Sequence, residues 1–212
     1  SRPAFVTGGK RFVDVWTYAN RTVSRYRVKL GKISNTFVCG AKTAPGTYVF
    51  GTVEGKLVSV TLQLSKSGVS GNTIKSIVDG VAVTAIAPIG STGAFLCGCK
   101  EGKLLRWHAN ADSLTQINQE NMRIASSVQS VHVAELSTAG MITVLVGTQR
   151  CEIFECLLRD APNVAVTPVG EQPIMRSHFK DEVWGLATHP RLDQSRAGRW
   201  RRPRRADGRP AP

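Results

Sequence analysis

A strand-turn-strand unit recurs along the chain, its glycines spaced by 43, 47 and 49 residues. It reads Phe5-Val6-Thr7-Gly8 followed by Val13-Asp14-Val15-Trp16, then Tyr48-Val49-Phe50-Gly51 followed by Leu57-Val58-Ser59-Val60. It returns as Phe95-Leu96-Cys97-Gly98 with Leu104-Leu105-Arg106-Trp107, and as Leu145-Val146-Gly147 with Ile153-Phe154-Glu155-Cys156. One such unit cannot bury its own apolar face, so a period of about 40 to 50 residues implies that successive units stack. Two short apolar runs, a Gly and a terminal Trp at that period describe β-propeller blades. Gly8, Trp16, Gly51, Gly98, Trp107 and Gly147 are then structural repeat positions, and the chain is expected to be all-β. A rigid stack of blades is usually a recognition surface and seldom an active site.

The two middle units are close copies, with Glu54-Gly55-Lys56 and Glu101-Gly102-Lys103 supplying the permissive backbone of a tight hairpin. After that turn the residues alternate, which places Leu104 inward and Leu105 outward. Small or β-branched runs precede the pairs: 36–41, 81–87, 128–134 and 183–187. Crowding round an axis favours such residues, so these are expected to be innermost strands. The outer, more polar strands are expected at 22–30, 60–64, 114–117 and 164–169, with a short helical turn over 119–125. On this count the chain starts at the second strand of one blade and ends on the innermost strand of a fifth unit. Residues 1–190 are therefore expected to form about four blades of a larger propeller, because an open array leaves strand edges exposed. The competing arrangement pairs the last inner strand with the first strands and closes a four-bladed ring.

No run of about 18 apolar residues exists, so no membrane span is expected. The N-terminal Ser1-Arg2-Pro3-Ala4-Phe5 has neither Met nor a signal peptide's apolar stretch and reads as the start of a fragment. Five cysteines, an odd number placed within apparent strands, argue against a disulfide framework and for a reducing, cytoplasmic setting. The net charge of +13 is unevenly distributed: residues 191–212 hold eight Arg against two Asp. This tail lacks strand alternation and is rich in Arg, Pro, Gly and Ala. It reads as a reading-frame shift or unspliced intron near Gln194, or as a disordered basic tail. The overall excess favours acidic partners, whether nucleic acid, anionic lipid or acidic protein segments.

Chemical motifs are sparse. Cys97-x-Cys99 and the Cys151/Cys156 pair lack the turn-borne spacing of a structural zinc site, and buried cysteine is common packing, so no metal is expected. Ser177, His178 and Asp181 are too close in sequence to converge as a catalytic triad. Thr7-Gly8-Gly9-Lys10 lacks the spacing of a phosphate loop and leads into a strand. No carboxylate pair stands ready for acid-base work; neither catalytic residues nor cofactors are expected. Trp16, Trp107 and Trp184 are read as core. Arg21, Arg25, Arg27 and Lys29 are a candidate basic contact surface, because alternation puts these odd-numbered residues on one face, away from Thr22, Tyr26 and Val28.

The units resemble WD40 repeats, and the last one points to a narrower family. Ser177-His178-Phe179-Lys180-Asp181-Glu182-Val183-Trp184-Gly185-Leu186-Ala187-Thr188-His189-Pro190 is similar to the Gly-His-x-x-Asp-Glu-Leu-Trp-Gly-Leu-Ala-Thr-His-Pro segment of echinoderm-microtubule-associated-protein-like proteins. Val146-Gly147-Thr148-Gln149 with Glu152-Ile153-Phe154-Glu155, and Phe5-Val6-Thr7 through Val15-Trp16, resemble two more of its strand pairs, in the family's order. The resemblance implies tandem propellers that associate with microtubules or soluble tubulin. It also implies that His178, Asp181 and Trp184 are structural, with His178 bracing its blade through a strand hydroxyl. The expected function is a non-catalytic, cytoskeletal binding module whose basic face attracts the acidic tails of tubulin. A general WD40 scaffold is the alternative. A nucleic-acid binder ranks lower, because no stacking platform accompanies the basic residues.

Overall fold

A computed structural model of the chain describes residues 4–30, 35–65, 68–76, 80–109, 112–118, 122–136, 140–159, 161, 164–170 and 172–176. All regular structure among them is β-strand, arranged in antiparallel sheets of consecutive strands. Among the described residues no helix is long and apolar enough to cross a membrane. The first sheet holds β1 (Ala4–Gly9), β2 (Phe12–Ala19) and β3 (Thr22–Arg27). The second is β4 (Phe37–Ala44), β5 (Thr47–Thr52), β6 (Lys56–Ser65) and β7 (Gly68–Ser76). The third is β8 (Val83–Pro88), β9 (Phe95–Cys99), β10 (Leu104–His108) and β11 (Ser113–Gln116). The fourth is β12 (Val128–Leu136), β13 (Met141–Thr148) and β14 (Glu152–Arg159), with β15 (Thr167–Pro168) and β16 (Met175–Arg176) both on the outer edge of β14.

The leading strands of the second, third and fourth sheets each lie against the sheet before, β4 by β1, β8 by β4 and β12 by β8. Three apolar layers fill the spaces between sheets. Val13, Val15, Phe37, Phe50, Val58 and Val60 join the first to the second. Val49, Leu57, Val83, Phe95, Leu105 and Trp107 join the second to the third. Leu96, Leu104, Val128, Val144, Val146 and Leu158 join the third to the fourth. A sheet covered on both faces turns alternation into two cores, which corrects the expectation for Leu105. It points away from Leu104 but is buried in the other layer, at 5 % exposure. Burying such a side chain stabilises the fold by about 1.5 to 3 kcal/mol.

The packing explains the repeated glycine. A Cβ on Gly51 would stand 2.7 Å from Val83, and one on Gly98 would stand 2.3 Å from Val128. A Cβ on Gly8 would stand 3.3 Å from Phe37. In each case the first residue of the next leading strand presses on the glycine of the sheet before it. Gly147 occupies the same strand position and is buried. The turns repeat too. Arg11, Gly55, Gly102 and Cys151 all have left-handed backbone, with φ of 64°, 77°, 74° and 58°. In the last three the residue's N–H bonds back to the carbonyl three positions earlier, at 3.1–3.2 Å. Cys151 thus lies in a hairpin turn and not in a strand, unlike the other four cysteines.

Two outer strands, β3 and β11, fall where expected, and the other two differ. Residues 60–64 are no separate strand, since the alternation from Leu57 continues unbroken and β6 runs through to Ser65. The outer strand is β7, a Gly- and Ser-containing segment without the usual β-forming composition. In the fourth sheet the expected strand at 164–169 shrinks to Thr167–Pro168, and Met175–Arg176 covers the other end of β14. Prolines 168 and 173 donate no N–H, which keeps this edge short. Residues 122–125 carry no helical turn. The expected inner strand at 183–187 and the tail at 191–212 lie outside the described residues.

Candidate functional site: the open face and basic end of the first sheet

Register brings Phe5, Trp16 and Arg25 side by side across the first sheet, and Thr7, Asp14 and Arg27 beside them. All six point to one face, opposite the valines that contact the second sheet. Phe5 and Trp16 stack with centroids 5.9 Å apart and planes 7° from parallel. The Trp16 indole N–H donates to the Thr7 hydroxyl at 2.8 Å, and the Arg25 guanidinium lies 5.9 Å from the ring. Phe95 and Trp107 form the same pair in the third sheet, also 5.9 Å apart and 17° from parallel. The difference is what covers them. Phe95 and Trp107 are 1 % and 7 % exposed under Val49 and Leu57, whereas Phe5 is 53 % exposed. Tyr18 and Val23, paired across β2 and β3, extend this exposed face. Trp16 is therefore only partly buried, which corrects its reading as core.

Asp14 is buried, and it accepts two hydrogen bonds from Arg27, one of them from the Nη2 group at 3.2 Å. The same guanidinium lies 5.0 Å from the Phe12 ring. Arg27 thus serves the fold, while Arg25 rests on a partly buried ring. Arg27→Ala leaves a buried carboxylate without its partner and is expected to cost about 2 kcal/mol, discounted because the arginine is half exposed. Arg25→Ala removes an exposed cation–π contact and is expected to cost less than about 1 kcal/mol. Urea unfolding midpoints of the two variants check this; equal losses would overturn the assignment.

The four basic residues do not form one patch. Arg21 sits in the β2–β3 turn, where Asn20 and Arg21 have φ of 50° and 60°, the backbone of a type I′ hairpin. Lys29 follows β3 at its far end, about 25 Å away along the strand. There Val28 donates its N–H to Val13 at 2.9 Å, which brings Lys29 towards the β1–β2 turn and its exposed Lys10 and Arg11. Sequence reading missed this pair. The signal was present, because the first unit has Lys-Arg in the turn where the middle units have Glu-Gly.

Cys97 and Cys99 face the layer between the second and third sheets, and burial pushes both thiols up, Cys99 to about 11. No disulfide links the five cysteines, and among the described residues no group of three or more His, Cys, Asp or Glu is placed to hold a metal ion. Buried Asn118 is a further structural residue that sequence reading missed. Its side chain accepts from the Leu104 N–H and donates to the Gly102 carbonyl, both at 2.8 Å, tying the β9–β10 turn to the end of β11. His178, Asp181 and Trp184 lie outside the described residues. Between β1 and the first two strands of the second sheet runs a groove of about 460 Å³, lined by Val6, Gly8, Phe37, Val38, Tyr48 and Phe50 among others. No protein-family model matches the chain, and no curated protein matches it significantly.

Proposed function

We propose that the chain is a non-catalytic binding module, a WD40-type β-propeller segment that docks tubulin or microtubules in the cytoplasm. The observation that carries the reading is the outward face of the first sheet, where exposed Phe5 stacks on half-buried Trp16, with the basic Lys10, Arg11 and Lys29 at one end of the same sheet. A partly exposed aromatic pair on a sheet that also carries basic residues has the composition of a protein-docking surface, in which rings anchor and rim charges steer. The resemblance of residues 177–190 to the echinoderm-microtubule-associated-protein-like family supplies the partner, whose acidic tails complement the basic end. A general WD40 scaffold is the second reading, favoured by the apolar part of the same face, which would suit an uncharged partner.

Microtubule co-sedimentation of residues 1–212 and 1–190 tests this. Both are expected to pellet alike, and Arg11→Glu with Lys29→Glu is expected to weaken binding about tenfold, an effect that shrinks as salt rises. Pelleting by the longer chain alone would assign binding to nonspecific charge in the tail. Failure of both to pellet would favour the scaffold reading.

A further inference from the structure

The strands that lead the second, third and fourth sheets meet the repeat glycine in one way. Phe37, Val83 and Val128 stand opposite the residue directly after it, and the next residue is bulged out. A small residue then meets the glycine itself: Cys39 with Gly51, Ala85 with Gly98, Ser130 with Gly147. These three glycines are buried. In the first sheet the strand that carries the glycine is itself the edge, and Gly8 is exposed. Among the described residues no strand pairs with the other side of β1. An edge of this kind presents a row of peptide N–H and C=O groups, a template for a further strand.

β1 is also one wall of the 460 Å³ groove, and β4 with the start of β5 is the other. Phe37, Tyr48, Phe50 and the half-exposed Val38 make its lining largely apolar, and among the described lining residues Lys42 is the one charged side chain. Lys10 bridges Thr36 in antiparallel fashion, which limits the open edge to β1 itself. A Cβ on Gly8 would stand 3.3 Å from Phe37, so β4 runs back along β1 from that end. Lys42 lies five residues beyond Phe37, about 15 Å along the strand. Exposed Lys10 and Arg11 stand at the near end. Cations therefore mark both ends of the groove.

We propose that this edge and groove dock an extended segment of a partner protein, added to β1 as an antiparallel strand. The pairing in the other sheets sets its sequence: a branched or aromatic residue opposite Gly9, one residue to bulge, and a small residue opposite Gly8. Acidic residues at its two ends meet Lys10 and Arg11 at one and Lys42 at the other. Added strands gain affinity from main-chain hydrogen bonds and specificity from alternate side chains, and complementary charge fixes register. The site is the edge of the first sheet and not its aromatic face, so the inference does not rest on tubulin binding.

Fluorescence polarisation of the full-length chain with a labelled synthetic peptide tests this. The probe carries Val-Thr-Ala-Ile-Ala, the sequence of residues 83–87, between paired aspartates. Saturable binding is expected, weakened at least about tenfold by Lys10→Glu with Lys42→Glu. N-methylation throughout the probe should abolish binding, because it removes the N–H groups that a strand must donate. Hydrogen exchange on the same protein should show the β1 amides that point away from β2 slowed by the probe, with β13 amides unchanged. Equal binding by the N-methylated probe would overturn strand addition and leave only charge attraction. Absence of binding would overturn the proposal too. So would outward β1 amides already protected without the probe, because another segment or a second copy would then hold the edge.

Discussion

Gly102→Ala is expected to lower the stability of the chain by at least about 4 kcal/mol, enough to unfold a marginal domain. Two independent effects combine at this position. Its φ of 74° is left-handed, which costs a residue with a Cβ about 1 to 2 kcal/mol. An added Cβ would also stand 2.1 Å from the Ile124 carbonyl oxygen and 3.0 Å from that of Ser126, and neither is a flexible side-chain end. The clash pushes apart the segment leading into β12 and the turn whose carbonyl Asn118 holds. Gly46→Ala separates the two effects. Its φ is 73°, yet nothing lies within 4 Å of the added carbon, so only the backbone cost of about 1 to 2 kcal/mol is expected. Urea midpoints of both variants, with circular dichroism to confirm β-sheet, measure the difference. Equal losses would show that the approach of Ile124 relaxes freely and that the turn is not a packing point.

The same turn shows what a single sequence conveys. Glu54-Gly55 and Glu101-Gly102 announce a left-handed residue because glycine adopts it without strain. Arg11 and Cys151 have the same backbone with no glycine to announce it, so only the repeat of the fold reveals it. Strand pairs with strong alternation were legible for the same reason, since period-two burial is a local property. Two of the four outer strands were not, because β7 and the β15–β16 pieces are held by neighbours more than by their own propensity. Trp16 and Trp107 show the limit at the candidate site. Both end the second run of their unit and both stack on a Phe, but whether a tryptophan is core or surface depends on the adjacent sheet. Alternation placed Arg25 and Arg27 on one face, but it could not identify Trp16 and Asp14 as their partners, because those contacts depend on cross-strand register. Lys10 and Arg11 were hidden by distance in sequence from Lys29, which the β1–β2 hairpin cancels.

Alkaline pH is expected to destabilise this chain, and the buried thiols are the cause. Burial pushes Cys39 and Cys156 up to about 12 and Cys99 to about 11 from the ordinary 9.0, and Cys97 well above 9.0. Below pH 9.0 these thiols are protonated in both folded and unfolded chains, so their full contribution to stability is present. Above that value the unfolded chain ionises and is stabilised, while the folded one cannot follow until about 11 to 12. The loss at about pH 10 is on the order of 1 kcal/mol for each thiol, and several kcal/mol for the four together. That is comparable with the whole stability of a typical domain. Urea midpoints at about pH 8 and about pH 10 should therefore fall steeply. Cys97→Ala removes one titrating group from the layer between the second and third sheets, and its pH dependence should be shallower by about one quarter. Parallel pH curves for the two proteins would show that the Cys97 thiol ionises as easily in the folded sheet as in the open chain. The layer around it would then be wetter than its burial implies.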